Sequence, residues 1–250
     1  MLTKEQIIKN LKKIKIREKY VIIHSDITGL IFQDFSLDSL WKIIFECFGK
    51  KKTYIFPTFT FNLKNKIWDY SVTKSEAGVL SEFFRKKISK RRTIHPVHSV
   101  SIFGKNISKV PKHKSLSSFG RESIWEWLCN SKDVCNIGLG LNLHGGGTFC
   151  HLSEEKKKVK YRKYKKLNLK VIGKDKKIIN KQFTYFARNP KFKKLENNWD
   201  KCEKDLIKNK LLEKFIFPEN KYQVIKMNTY KVTNFILKKL DKNPHYLIKK

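Results

Sequence analysis

Residues 134–155 read Val134-Cys135-Asn136-Ile137-Gly138-Leu139-Gly140-Leu141-Asn142-Leu143-His144-Gly145-Gly146-Gly147-Thr148-Phe149-Cys150-His151-Leu152-Ser153-Glu154-Glu155. The run Val134 to Ile137 is short and apolar, as a buried strand is. The glycines after it permit close approach of main chain to a ligand. The stretch closes on His151-Leu152-Ser153-Glu154, a base with a carboxylate one helical turn away, and a second carboxylate beside it. A strand end, a permissive turn and a paired histidine are parts from which an enzyme site is built. Their other reading is a glycine turn between two elements.

Working outward, the pattern repeats. Tyr20-Val21-Ile22-Ile23-His24 is a second buried strand, followed by Ser25-Asp26-Ile27-Thr28-Gly29, small polar groups suited to a phosphate or a carbonyl. Ser36 is the expected N-cap of an amphipathic helix to about Phe48, and Thr3 that of an N-terminal helix with Leu2, Ile7, Ile8, Leu11 and Ile14 on one face. Lys52 to Phe56 reads as a strand stopped by Pro57, and Trp68-Asp69-Tyr70 lies in a loop. Ser75 caps a helix with Leu80, Phe83 and Phe84 inward. Arg91-Arg92-Thr93-Ile94-His95-Pro96-Val97-His98-Ser99 gathers cations beside hydroxyls, an anion site or a basic loop. Ser115 to Leu128 gives a serine turn and an aromatic helix. Leu167–Ile172 and Lys176–Asn180 flank a hairpin turn at Gly173-Lys174-Asp175. A helix at about 200–212 and a strand-helix pair over 222–240 end the chain. Strands alternating with helices predict an α/β architecture. The expectation is one domain over 1–250, with a smaller C-terminal lobe from about 167.

Hydrophobic residues make up 40% and aromatic residues 13%, enough to bury one substantial core. No run is long and apolar enough for a spanning helix. Five scattered cysteines without a CxxC pair point to reduced thiols and a cytoplasmic protein. Cys150 adjoins His151, but neighbours on a helix point about 100° apart, a poor geometry for proton transfer between them. The net charge of +34, from 56 Lys and Arg against 22 Asp and Glu, attracts anions. Lysine is nonetheless spread through every segment, and no zinc finger, RNP or helix-turn-helix signature is present, so nucleic acid is not the expected partner. No metal is expected either.

Five clusters in register resemble the aminoglycoside 3-N-acetyltransferase family. His24-Ser25-Asp26 is similar to its "His-Ser-Ser-Leu" turn, and Phe56-Pro57-Thr58-Phe59-Thr60 to its "Met-Pro-Thr-Phe-Thr" element. Thr73-Lys74-Ser75 with Gly78, Glu82, Phe84 and Arg85 resembles its "Thr-Pro-Ser-x-x-Gly-x-Leu-x-Glu-x-Phe-Arg". Arg92 to Ser99 resembles "Arg-Ser-x-His-Pro-x-x-Ser", and Gly138-Leu139-Gly140 with Thr148, His151 and Glu154 resembles "Leu-Gly-Val-Gly…Thr-x-x-His-x-x-Glu". The likeness spans roughly residues 20–160 and is looser after about 190. It implies a mixed central β-sheet flanked by helices, distinct from the small GNAT fold, and acetyl transfer from acetyl-CoA to an amine. It implies His151 as general base and Thr148 as its positioning neighbour. Glu154 either orients the imidazole or holds the substrate ammonium. Ser25, Ile27 and Thr28 would meet the pantetheine, and Ser75, Arg92, His95 and Ser99 the rest of CoA. His24 and the acidic residues Asp26, Asp69 and Glu82 are the candidates for the acceptor side.

An aminoglycoside is a polycation, and the field of this chain repels it. The insert Leu143-His144-Gly145-Gly146-Gly147 also departs from the drug-modifying pattern. The expected acceptor is therefore an amino sugar carrying phosphate, such as a dTDP- or UDP-linked aminodeoxy sugar for surface-polysaccharide assembly. The alternatives are aminoglycoside acetylation and, more remotely, a basic RNA-binding protein without enzymatic activity. Oligomeric state is not legible.

Overall fold

A computed structural model describes residues 2–192 and 194–249. In chain order its strands are β1 (Tyr20–Ser25), β2 (Thr53–Pro57), β3 (Ile67–Asp69), β4 (Arg91–Arg92), β5 (Val100–Gly104) and β6 (Val134–Leu139). β7 (Arg162–Ile172), β8 (Ile178–Arg188), β9 (Leu212–Ile216) and β10 (Gln223–Asn228) follow. The helices are α1 (Lys4–Lys12), α2 (Leu37–Phe48), α3 (Val79–Phe83), α4 (Ile124–Asn130), α5 (Leu143–Gly146), α6 (His151–Lys156), α7 (Trp199–Lys208) and α8 (Thr229–Lys242).

Seven strands form the central mixed sheet in the order β4-β5-β2-β1-β6-β10-β9. β1 lies in the middle, parallel to β2 on one side and β6 on the other, and β5, β4, β10 and β9 extend it with antiparallel pairing. The β-branched run of β1 is buried on both faces because helices cover both. Val21 and Ile23 pack with Leu11, Leu40, Trp41, Ile44 and Phe84 of the α1–α2–α3 layer. Tyr20 and Ile22 pack with Trp125, Leu152, Leu206, Val232 and Ile236 of the opposite layer. Strand parity therefore turns His24 toward that second layer, where α6 lies.

Thr3 and Ser36 cap α1 and α2 as the sequence predicts, each accepting from the main-chain N–H three residues on. Other expectations are corrected. Ser75 does not cap a helix: its Oγ accepts from Ala77 N–H, and α3 begins four residues later, after Gly78. α3 then widens into a π-type turn, closed by Ser89 N–H donating to Phe84 O at 2.8 Å. Trp68 and Asp69 are strand rather than loop: β3 pairs parallel with β7, and β7 with β8, in a separate three-stranded sheet. The helix placed over 200–212 stops at Lys208, and Leu212 opens β9. The hairpin stands where expected, but its arms are eleven residues each, joined through Gly173–Lys177.

The glycine stretch is not an open loop. Asn142 caps the single turn of α5, and that turn rests on the sheet with Gly146 against Gly138, so close that a Cβ on Gly146 would lie 3.4 Å from the Gly138 Cα. Gly140 ends β6 at φ +68°, and a Cβ there would meet Asp26 O at 2.3 Å. Gly140→Ala combines a left-handed backbone with a main-chain clash and is expected to cost about 2–4 kcal/mol. The denaturant midpoint measures it, and an unchanged midpoint contradicts the tight β1–β6 exit.

Candidate active site

The carboxyl ends of parallel β1 and β6 open toward the α5–α6 segment, the usual place for a ligand in a sheet of this kind. His24 sits opposite Gly138 in the β1–β6 register and is 6% exposed. Its Nε2 lies 3.2 Å from Thr148 Oγ1. Its Nδ1 has no partner in hydrogen-bonding geometry among the described residues, although Asn136 is near enough to offset part of the burial, which holds the imidazole down at about 4. His24 is therefore neutral at pH 7. Asn136, on the same face, donates to Gly146 O at 2.8 Å and anchors the glycine turn to the sheet.

A 3-10 turn from Thr148 to Cys150 runs directly into α6, so Thr148 and His151 stand one turn apart. His151 Nδ1 lies 2.5 Å from Glu154 Oε2. The same carboxylate oxygen is 2.7 Å from Arg162 Nε. Side-chain exposure falls from 26% at His151 to 11% at Arg162 and 1% at Glu154, so the ring reaches solvent and the acid does not. Burial pushes the Glu154 carboxyl up, but the charges of His151 and Arg162 and their hydrogen bonds overcome it and keep Glu154 ionised. Burial, then Arg162, lower the His151 pKa against the pull of Glu154. An ionised acceptor at Nδ1 requires Nδ1–H, which leaves the Nε2 lone pair free to accept a proton. The rings of Phe119 and Trp199 flank the imidazole at 6.1 and 5.6 Å.

The remaining sequence candidates divide by place. Ser25, Ile27, Thr28 and Asp26 form the β1 exit. Ser25 Oγ has no partner among the described residues, and Asp26 accepts from Thr28 Oγ1 and N–H, which lower its pKa. Ser75 and Glu82 sit together beside that exit, with Ser75 N–H donating to Glu82 at 2.8 Å and Arg85 forming a two-pronged ion pair with it. Burial raises the Glu82 pKa, yet the Arg85 and Ser75 hydrogen bonds leave it net lowered. Both line a groove of about 480 Å³ with Gly78 and Val79.

Arg92 and Ser99 lie in a buried network. The Arg92 guanidinium, in a residue 4% exposed, donates to Thr73 O, Thr58 O and Ser99 Oγ and stacks on Trp68, and burial lowers its pKa to about 9. His95 accepts from His98 N–H at Nδ1, so its Nε2–H donates to Thr184 O. Asp69 caps the turn after β3 by accepting from Ser71 and Val72 N–H. Arg92 and Ser99 thus gather on Thr58, just past the end of β2, and the Arg92 charge is near enough to act on Glu82. Cys150 is fully buried, and burial raises its thiol pKa well above normal, so it offers no thiolate. The N–H groups of Gly145 and Gly146 are taken by Asn142. Among the described residues no group of His, Cys, Asp and Glu is arranged to hold a metal.

Arg162 and Asn136 escape the sequence reading. Arg162 hides in a lysine-rich run at the start of β7, where the next four residues are all exposed, and only its guanidinium sets it apart. Arg162→Met should raise the His151 pKa, because the cation that disfavours imidazolium is gone. The acid limb of kcat/KM then moves up by about one pH unit, and Arg162→Lys restores part of it. A limb that stays in place separates Arg162 from the base.

The family profile described as aminoglycoside 3-N-acetyltransferase matches residues 22–227. A search of curated proteins by sequence finds no match. Among solved structures the fold is similar to the YokD protein from Bacillus subtilis, at 16% identity and TM-score 0.76, covering 97% of this chain and 100% of that one. It is similar to aminoglycoside acetyltransferase AAC(3)-Xa at 11% identity and TM-score 0.82, covering 96% and 93%. A third match is AAC-IIIb, whose structure is a binary complex with CoASH, at 12% identity and TM-score 0.76, covering 96% and 97%. With its mixed seven-stranded sheet and the profile match over most of its length, the chain belongs to the aminoglycoside 3-N-acetyltransferase family and is an acetyl-CoA-dependent acetyltransferase.

Proposed function

We propose that the protein transfers acetyl from acetyl-CoA to the amine of an amino sugar by direct attack, with His151 as general base. The observation that carries this reading is the pair His151–Glu154 at 2.5 Å, with the ring partly exposed and the acid buried. An ammonium cannot attack a thioester. His151 Nε2 takes a proton from it, and the nitrogen lone pair adds to the thioester carbonyl carbon. The adduct nitrogen gives up its second proton as the tetrahedral intermediate expels the CoA thiolate, which takes up that proton; the amide is left behind, and the proton on His151 returns to solvent. Glu154 orients the ring and stabilises the imidazolium as it forms. Its role as a holder of the substrate ammonium is disfavoured, because both its neighbours compete for the same oxygen. Thr148, one turn from the ring and bonded to neutral His24, positions the segment. The β1 exit with its unpartnered Ser25 hydroxyl suits the pantetheine, and the relative solved with CoASH supports acetyl-CoA as cosubstrate.

For the acceptor we infer an amino sugar linked to a nucleoside diphosphate. The net charge of +34 disfavours encounter with a polycationic drug and favours an anion. Relatives solved with a gentamicin, apramycin and sisomicin keep drug acetylation as the competing reading. The free thiols suit a cytoplasmic enzyme.

His151→Ala should lower kcat/KM by about 10²–10⁴, with CoA affinity by calorimetry unchanged; full turnover removes His151 as the base. In a thiol-release assay, dTDP- and UDP-linked amino sugars should turn over faster than kanamycin-type drugs. Turnover confined to the drugs refutes the nucleotide-sugar acceptor.

A further inference from the structure

A large cavity lies away from His151, at the β4 edge of the central sheet, under the β7–β8 hairpin. It has a volume of about 930 Å³. Its rim carries Lys90, Arg91, Lys112, Lys114, Lys174 and Lys181, and no carboxylate lines it among the described residues. Of these cations only Lys114 has an acidic partner within 4 Å among the described residues, Glu122 on the exposed surface. Two donors in the wall, Arg91 Nε and His113 Nε2, have no hydrogen-bond partner among those residues. The wall thus offers donors and cations without an anion to meet them.

Its floor is apolar. Ile94, Leu116 and Ile179 are each at least 40% exposed, and all three line this one cavity. Phe183 closes it at depth, at 2% exposure. Ile179, Lys181 and Phe183 come from alternate positions of β8, so one face of the hairpin is turned to the cleft along its length. Uncompensated cations on an edge strand also serve to block sheet-to-sheet association. That account covers the charge and leaves the clustered aliphatics without a reason.

We propose that this cleft binds a nucleoside diphosphate moiety, with the base on the aliphatic floor and the phosphates on the lysine and arginine rim. The match is one of chemistry: a planar apolar group and two adjacent anions, in a cavity of the size that holds a small ligand. Buried His95 and His98, 6.3 Å apart, stand between His113 of the cleft wall and Phe119 beside His151, so the cleft is a compartment of its own. The assignment rests on the nucleotide-linked reading of the acceptor, and CoA, which also carries a phosphorylated nucleoside diphosphate, is the second source of the same chemistry.

Calorimetric titration of the full chain with UDP, inorganic diphosphate and CoA tests it. UDP should bind one to one and more tightly than diphosphate alone. The triple variant Lys112→Glu/Lys174→Glu/Lys181→Glu changes only rim side chains and should weaken UDP at least about thirtyfold. If CoA affinity is unchanged in the variant, the nucleotide belongs to the acceptor; if it falls in parallel, the cleft holds the nucleotide end of CoA. A lack of UDP binding to the unmodified chain, or equal binding to the variant, overturns the proposal. So does a single-stranded RNA oligomer that displaces UDP and binds tenfold more tightly. UDP binding without turnover of nucleotide-linked sugars removes the acceptor reading and leaves the cleft assignment standing.

Discussion

A carboxylate that is 1% exposed is the constraint around which the α6–β7 end of this molecule is arranged. Left alone, such a group would be neutral or would not be buried at all. Glu154 is ionised because an imidazole and a guanidinium converge on the same oxygen. That convergence dictates local structure. α6 must begin at His151 for the i,i+3 spacing to close, and β7 must start at Arg162, with Arg162 Nη1 tied to Phe186 O on β8. Removing one member of a buried charged set costs about 3–5 kcal/mol, because the others are left uncompensated. Stability and reactivity are thus tied to the same few atoms.

The central sheet was legible because its strands are short apolar runs and its helices carry polar caps. Tyr20–His24, Val134–Ile137 and Ser36 needed no tertiary information. The His151–Glu154 pair was legible too, because both members lie within one short run. Arg162 was not, because counting charge cannot tell one buried guanidinium from the exposed lysines around it; only the fold of β7 over α6 makes the distinction. β3 was misread for a similar reason. Ile67-Trp68-Asp69 has no alternation of its own and becomes strand only through its parallel partner β7. The segment Arg91–Ser99 was left between an anion site and a basic loop, because the sequence does not show which side chains turn inward. Arg92 and Ser99 bond to Thr58, while Arg91 donates to Val110 O; both arginines reach the wall of the same cleft.

The distribution of histidines follows a single rule. His24, His95, His98 and His113 are all pushed below their ordinary pKa chiefly by burial, so they are neutral. Positive charge at neutral pH comes instead from lysine and arginine at the surface.

One hairpin serves both ends. Arg162 and Arg188 face each other at its base, and Ile179, Lys181 and Phe183 lie further along the same ladder. Because side chains alternate every residue, any insertion or deletion between these two zones that changes an arm by an odd number inverts the faces beyond it. Length variation in relatives of this chain should therefore come in even steps along the arms, while the turn at Gly173–Lys177 is free to diverge. The ladder acts as a ruler: ligand preference at the tip can drift in sequence while the chemistry at the root keeps its register.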